Sequence, residues 1–86
     1  MYVYFIRSGR RKNNAIKIGK AMNIQRRLDQ LQTGNPCQLH LLGYIRCDSV
    51  KHAEHIEKLL HDRFKKQNIR GEWFAGNIHY KKYLNE

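Results

Sequence analysis

The chain has 86 residues, of which 41% are hydrophobic, and its 17 Lys and Arg against 7 Asp and Glu give a net charge of +10. This length accommodates one small core, and the hydrophobic content excludes a disordered chain. Because no apolar run reaches the roughly 18 residues of a membrane-spanning helix and the first residues do not resemble a signal peptide, we expect a single cytoplasmic domain over residues 1–86, without a membrane partner.

The first part of the chain predicts a β-hairpin and a helix. Residues 2–6 are aromatic and β-branched, as is typical of a strand. Ile16 and Ile18 alternate with Lys17 and Gly19, which indicates a second strand, and two strands this close in sequence are expected to pair antiparallel. An amphipathic helix from about residue 24 to about residue 33 follows, with Asn23 as its N-cap.

The second part predicts one more strand and two helices. An apolar run at residues 39–45 indicates the strand, and Asp48 or Ser49 can cap a longer helix over about residues 50–66. Aromatic residues near position 80 indicate a short terminal helix. The resulting order, β-β-α-β-α-α, predicts an α+β domain with a small three-stranded antiparallel sheet flanked by helices.

Basic residues are concentrated in the first part of the chain. The first 28 residues contain eight Lys or Arg and no acidic residue. Such asymmetry is typical of the basic face of a nucleic-acid-binding protein. Two other interpretations stay open: the cations are merely solvated, or the basic patch binds an acidic protein. Cys37 and Cys47 have no second pair at metal-binding spacing, so we expect free thiols and no structural zinc.

Four motifs follow one another along nearly the whole chain, and Arg27 lies between the second and the third. They are Tyr2-Val3-Tyr4, Lys17-Ile18-Gly19, the pair Glu57 and His61, and Gly71-Glu72-Trp73-Phe74. In this order they resemble the GIY-YIG nuclease superfamily, most closely the phage and bacterial branch with Y-V-Y, K-I-G, E-x-x-x-H and G-E-W-F motifs. The resemblance implies an endonuclease that hydrolyses DNA phosphodiester bonds with Mg²⁺ or Mn²⁺, on the three-stranded fold predicted above.

The resemblance also implies roles for individual residues. Glu72 would bind the metal, Tyr4 would position or deprotonate the attacking water, and Arg27 would hold the scissile phosphate. These roles suit the residue types, because a hard cation prefers carboxylate oxygen and a guanidinium grips two phosphate oxygens. A tyrosine has a reference pKa of about 10 and needs help to act as a base. Lys17, which replaces the tyrosine of the family's second signature, could favour the Tyr4 phenolate by opposite charge.

The remaining site predictions concern protons and the DNA backbone. His61 could shuttle the leaving-group proton or position the water, or it could simply hydrogen-bond Glu57 one helical turn earlier. Lys20 is expected to add a phosphate contact. Further backbone contacts are predicted at Arg10, Arg11, Lys12 and Arg26, with salt-sensitive and largely sequence-independent affinity.

Two functions therefore stay open for one fold. The first is a metal-dependent endonuclease acting on duplex or branched DNA, with a protein partner as a possible source of specificity. The alternative is a catalytically inactive nucleic-acid-binding module. Lys17 in place of tyrosine favours the inactive module slightly, whereas Arg27, His61 and Glu72 favour the enzyme.

Overall fold

A computed structural model describes residues 1–9 and 14–84. Within these residues the chain forms five strands and two α-helices. The strands are β1 (Tyr2–Ser8), β2 (Ala15–Ala21), β3 (Leu39–Arg46), β4 (Asn68–Arg70) and β5 (Trp73–Ala75), and the helices are α1 (Ile24–Gln32) and α2 (Val50–Arg63). Single 3₁₀ turns lie at Lys65–Gln67 and Lys81–Tyr83.

All strand pairs in the sheet are antiparallel, and the strand order is β3-β1-β2-β5-β4. The domain is a small α+β domain with a five-stranded sheet within the described residues, so the predicted three-stranded sheet with the order β-β-α-β-α-α is wrong. The two missed strands have three residues each, which is too short for an alternation of apolar and polar residues to be recognised. The predicted terminal helix is one 3₁₀ turn.

Helices cover both faces of the sheet. On one face, α2 packs on β2 and β1 around a core that contains Val3, Phe5, Ile16 and Ile18. On the other face, α1 packs on β1 and β3 around Tyr4, Ile6 and Leu39, which are also buried. Because side chains alternate along a strand, and Tyr4 pairs with Gly19, these two residues belong to the α1 face.

The helix starts follow the sequence pattern. The Asn23 side chain accepts a hydrogen bond from the Arg26 amide at 3.0 Å, and Ser49, rather than Asp48, accepts from the His52 amide at 3.1 Å. Cys37 is exposed and Cys47 is buried, and both are free thiols. Across the described ranges, no helix is long and apolar enough to cross a membrane.

Candidate active site at the edge of the sheet

Glu72 lies in the tight turn between β4 and β5, beside the edge of β2. Gly71 precedes it with φ of +54°, a left-handed conformation that glycine adopts without a Cβ clash. The Ile18 amide donates to the Glu72 carbonyl at 3.0 Å, and Trp73 then pairs with Lys17. The hairpin therefore holds the Glu72 carboxylate next to the Ile18–Gly19 segment, where β2 continues beyond β5.

Lys17 forms an ion pair with Glu72 at this edge. Its Nζ lies 3.0 Å from Glu72 Oε1 and 5.5 Å from the centre of the Trp73 ring. The Lys17 side chain is only 12% exposed, while that of Glu72 is 38% exposed. The ammonium therefore neutralises a carboxylate that remains open to solvent. Lys17 contacts Glu72, and its predicted influence on Tyr4 stays a prediction.

The Tyr4 hydroxyl lies near Glu72 because Gly19, which lies between them, has no side chain. A Cβ at Gly19 would overlap the Tyr4 hydroxyl. It would lie 2.6 Å from Tyr4 Cζ and 3.2 Å from Glu72 Oε1. The glycine thus leaves the space in which the phenol and the carboxylate meet. Tyr4 is 1% exposed, so its ring is fixed by the core beneath α1.

His61 and Glu57 approach from α2 on the other face. His61 Nε2 lies 2.9 Å from the Ile18 carbonyl oxygen, and its ring packs against Phe74 with 5.1 Å between ring centres. A carbonyl can only accept, so Nε2 donates and the neutral ring keeps its lone pair on Nδ1. The hydrogen bond that the structure gives His61 is therefore to Ile18, and the predicted alternative of a bond to Glu57 is not what is found.

The two carboxylates and the imidazole converge. One ligand atom from each of Glu57, His61 and Glu72 lies within 4.8 Å of the others. Glu57 Oε2 is buried and has no hydrogen-bond partner among the described residues, and Lys20 Nζ lies 4.0 Å from Glu57 Oε1. Burial, and then the nearby Glu72 carboxylate, raise the pKa of Glu57, while Lys20 opposes them. A cation bound beside Glu57 would therefore stabilise the charged form of its carboxylate.

These donors fit a divalent metal ion. Carboxylate oxygens suit Mg²⁺ and Mn²⁺, and a neutral imidazole suits first-row transition metals. The buried oxygen Oε2 of Glu57 offers a lone pair to which no residue in the described part of the chain donates a hydrogen bond. The sequence predicted Glu72 alone as the metal ligand. Glu57 entered only as a partner for His61, although its spacing of four residues from His61 already placed both on one helix face.

Of the other residues predicted to contact DNA, two are exposed arginines on α1 and three lie outside the described residues. Arg27 is exposed on α1, where its Nη1 donates to Gln30 Oε1 at 3.4 Å, and Arg26 is exposed next to it. Their roles stay predictions. The predicted contacts at Arg10, Arg11 and Lys12 lie outside the described residues. The structure therefore brings together Tyr4, Lys17, Lys20, His61 and Glu72 from the predicted set, and adds Glu57.

The family model described as T5orf172 domain matches residues 1–85. This is a different nuclease-like family, not clearly a GIY-YIG one, so the assignment of the chain to the GIY-YIG superfamily is wrong. The family is associated with nuclease-like and DNA-binding functions, which gives the chain a nucleic-acid-related role. Searches of the curated proteins and of the solved structures return no match.

Proposed function

The chain belongs to the T5orf172 domain family, and from this we propose that it is a metal-dependent endonuclease that hydrolyses DNA phosphodiester bonds. One observation carries the proposal. Glu57, His61 and Glu72 bring a ligand atom each within 4.8 Å of the others, and Lys17 and Lys20 stand beside the carboxylates. A divalent cation held by these ligands and the neighbouring ammonium groups would suit phosphodiester hydrolysis, because both kinds of positive charge stabilise negative charge on the phosphate.

Glu57, His61 and Glu72 would hold the cation, which we propose is Mn²⁺ or Mg²⁺. When bound, the cation would act as a Lewis acid that stabilises negative charge on a phosphoryl oxygen. Imidazole is a poorer ligand for Mg²⁺ than for a first-row transition metal, so Mn²⁺ is expected to bind more tightly than Mg²⁺.

Tyr4 would orient the attacking water. Its ring is fixed in the core, and its hydroxyl end occupies the space left by Gly19 beside Glu72. A phenol both donates and accepts hydrogen bonds, so it can hold a water molecule in line with the phosphate, and only its phenolate form could accept the proton from that water. A fixed ring favours this role, because a nucleophile must be held in one direction to react efficiently.

Lys17 and Lys20 would contribute positive charge to the phosphate. In the structure each is paired with a carboxylate, Lys17 with Glu72 at 3.0 Å and Lys20 with Glu57 at 4.0 Å. A metal ion on these carboxylates would replace the ammonium groups as their counter-charge. Both lysines would then be available to the phosphate, while Arg26 and Arg27 on the exposed face of α1 would bind the DNA backbone.

Nicking of supercoiled plasmid in Mn²⁺ or Mg²⁺ tests the proposal. Wild-type protein should nick the plasmid only with metal, and Glu72→Gln and Tyr4→Phe should abolish or strongly reduce nicking while DNA affinity stays within about twofold. Glu54→Gln and Tyr80→Phe are matched controls, because Glu54 is exposed on α2 and Tyr80 stacks on Phe5, and neither residue belongs to the proposed site. Equal loss of nicking and binding in folded Glu72→Gln would contradict the assignment of Glu72 to the metal.

A catalytically inactive DNA-binding module is the second candidate, and one observation favours it. Lys17 already supplies a cation to Glu72 Oε1 at 3.0 Å, so the carboxylate is neutralised without a metal. This candidate requires that the folded protein bind plasmid with a strong salt dependence and show no nicking with either metal.

A further inference from the structure

A cavity of about 400 Å³ opens between the start of α1 and the sheet. Tyr2, Leu41 and Tyr44 line it from the sheet, and residues 22–25 line it from the helix start. The Tyr2 and Tyr44 rings meet edge to face, with 5.3 Å between their centres. Met22 is 76% exposed and Tyr44 is 41% exposed, so the cavity presents apolar and aromatic surface to solvent.

The short helix α1 leaves part of this sheet face uncovered. A helix of nine residues is about 14 Å long, and its apolar side chains pack over Tyr4, Ile6 and Leu39. Tyr44 lies opposite Tyr4 in the register of β1 and β3, yet it remains outside this buried cluster. The uncovered aromatic surface is therefore continuous with the sheet face that carries Tyr4.

Exposed cations lie beside the cavity, in the first turn of α1. The first turn of α1 contains no acidic residue, and Arg26 and Arg27 are exposed there. Aromatic surface next to exposed cations is the combination that binds unpaired nucleotides, since bases stack on the rings while cations hold the phosphates. An apolar protein segment would gain nothing from the cations, so the charge favours nucleic acid.

We propose that this cavity binds a nucleobase unstacked from the DNA substrate, with the exposed face of Tyr44 as the stacking surface. The inference rests on the proposed function, because it names the kind of DNA that the site takes. Tyr2 precedes Tyr4 by two residues on the same strand face, a distance of about 7 Å. The base would then belong to a nucleotide close to the phosphate at the Glu72 site, in single-stranded DNA or beside an unpaired nucleotide in a duplex.

Two side-chain amides at the rim can read the edge of the base. Asn23 uses Oδ1 to cap α1, and Gln25 uses Nε2 to donate to Asp29 at 2.9 Å. Within the described residues this leaves the Nδ2 donor of Asn23 and the Oε1 acceptor of Gln25 for a base. A donor and an acceptor match the mixed pattern of base edges without selecting one base strongly.

Fluorescence anisotropy in EDTA separates binding from cleavage. Two labelled duplexes of equal length are compared, one fully paired and one with a single unpaired 2-aminopurine nucleotide. Wild-type protein should prefer the second duplex and quench its 2-aminopurine fluorescence. Tyr44→Ala should lower affinity for the unpaired duplex about 5- to 150-fold and remove the quenching, whereas Tyr44→Phe should retain the affinity and the quenching. Leu59→Ala, at an exposed position on α2, is the control and should change neither.

The outcomes that overturn the inference differ from those that overturn the nuclease. If wild type binds both duplexes equally, or if folded Tyr44→Ala keeps the preference and the quenching, the cavity does not bind a base. Nicking that depends on Glu72 would stand in that case. Conversely, absence of nicking together with a Tyr44-dependent preference would reject the enzyme and retain the base-binding cavity.

Discussion

Gly19→Ala tests whether the close approach of Tyr4 to Gly19 organises the site. The new Cβ would overlap the Tyr4 hydroxyl and lie 2.6 Å from Cζ, closer than real Cβ contacts allow. Tyr4 is 1% exposed and packed against the α1 side of the core, so its ring cannot swing into solvent. Overpacking of this kind costs about 2 kcal/mol, which lowers the Tm of a domain this size by about 8–16 °C.

Gly43→Ala is the matched control, because Gly43 also lies in a strand of the same sheet. Its Cβ would approach Leu84 Cδ1 at 2.5 Å, but that atom is the end of a flexible side chain. We expect the free energy of unfolding to change by less than about 1 kcal/mol. Alanine lowers the conformational entropy of the unfolded chain, and this gain offsets the cost of the small rearrangement. Thermal melts by circular dichroism measure both variants. If Gly19→Ala were as stable as Gly43→Ala, the packing of Tyr4 against Gly19 would be refuted.

Three further predictions concern charge and capping. Burial and the nearby Glu72 raise the pKa of Glu57 in the folded protein. The folded state therefore holds the Glu57 proton more tightly than the unfolded state does. As a result, the free energy of unfolding decreases as the pH rises from the ordinary pKa of 4.5 to the raised pKa. Glu57→Gln should therefore raise the Tm at pH 8 in EDTA and change it little at pH 4; equal changes would contradict this. Lys17→Met removes a positive charge next to Glu72, so calorimetry should show Mn²⁺ binding strengthened on the order of tenfold, and weaker binding would argue against a metal there. Asn23→Ala removes the α1 cap and should destabilise by about 1 kcal/mol; an unchanged denaturation midpoint would exclude a capping role.

The residues along the chain determined the local structure. Alternation of Ile16 and Ile18 with Lys17 and Gly19 fixed which face each strand residue occupies, because the side-chain period of a strand is two. The cap at Asn23 could also be predicted from the sequence, because the amide that bonds to it belongs to a residue only three positions away. The helical spacing of Glu57 and His61 placed both on one side of α2.

Tertiary structure decided the size of the sheet and the composition of the site. The strands β4 and β5 carry too few residues to be recognised, and they exist because their hairpin pairs with the edge of β2. The partners of the site are distant along the chain: His61 bonds the Ile18 carbonyl across 43 residues, and Glu72 meets Lys17 from the far end of the domain. Periodicity and capping report on neighbours within one or two turns, whereas the Glu57, His61 and Glu72 cluster forms only when α2 and the β4–β5 hairpin both pack against β2.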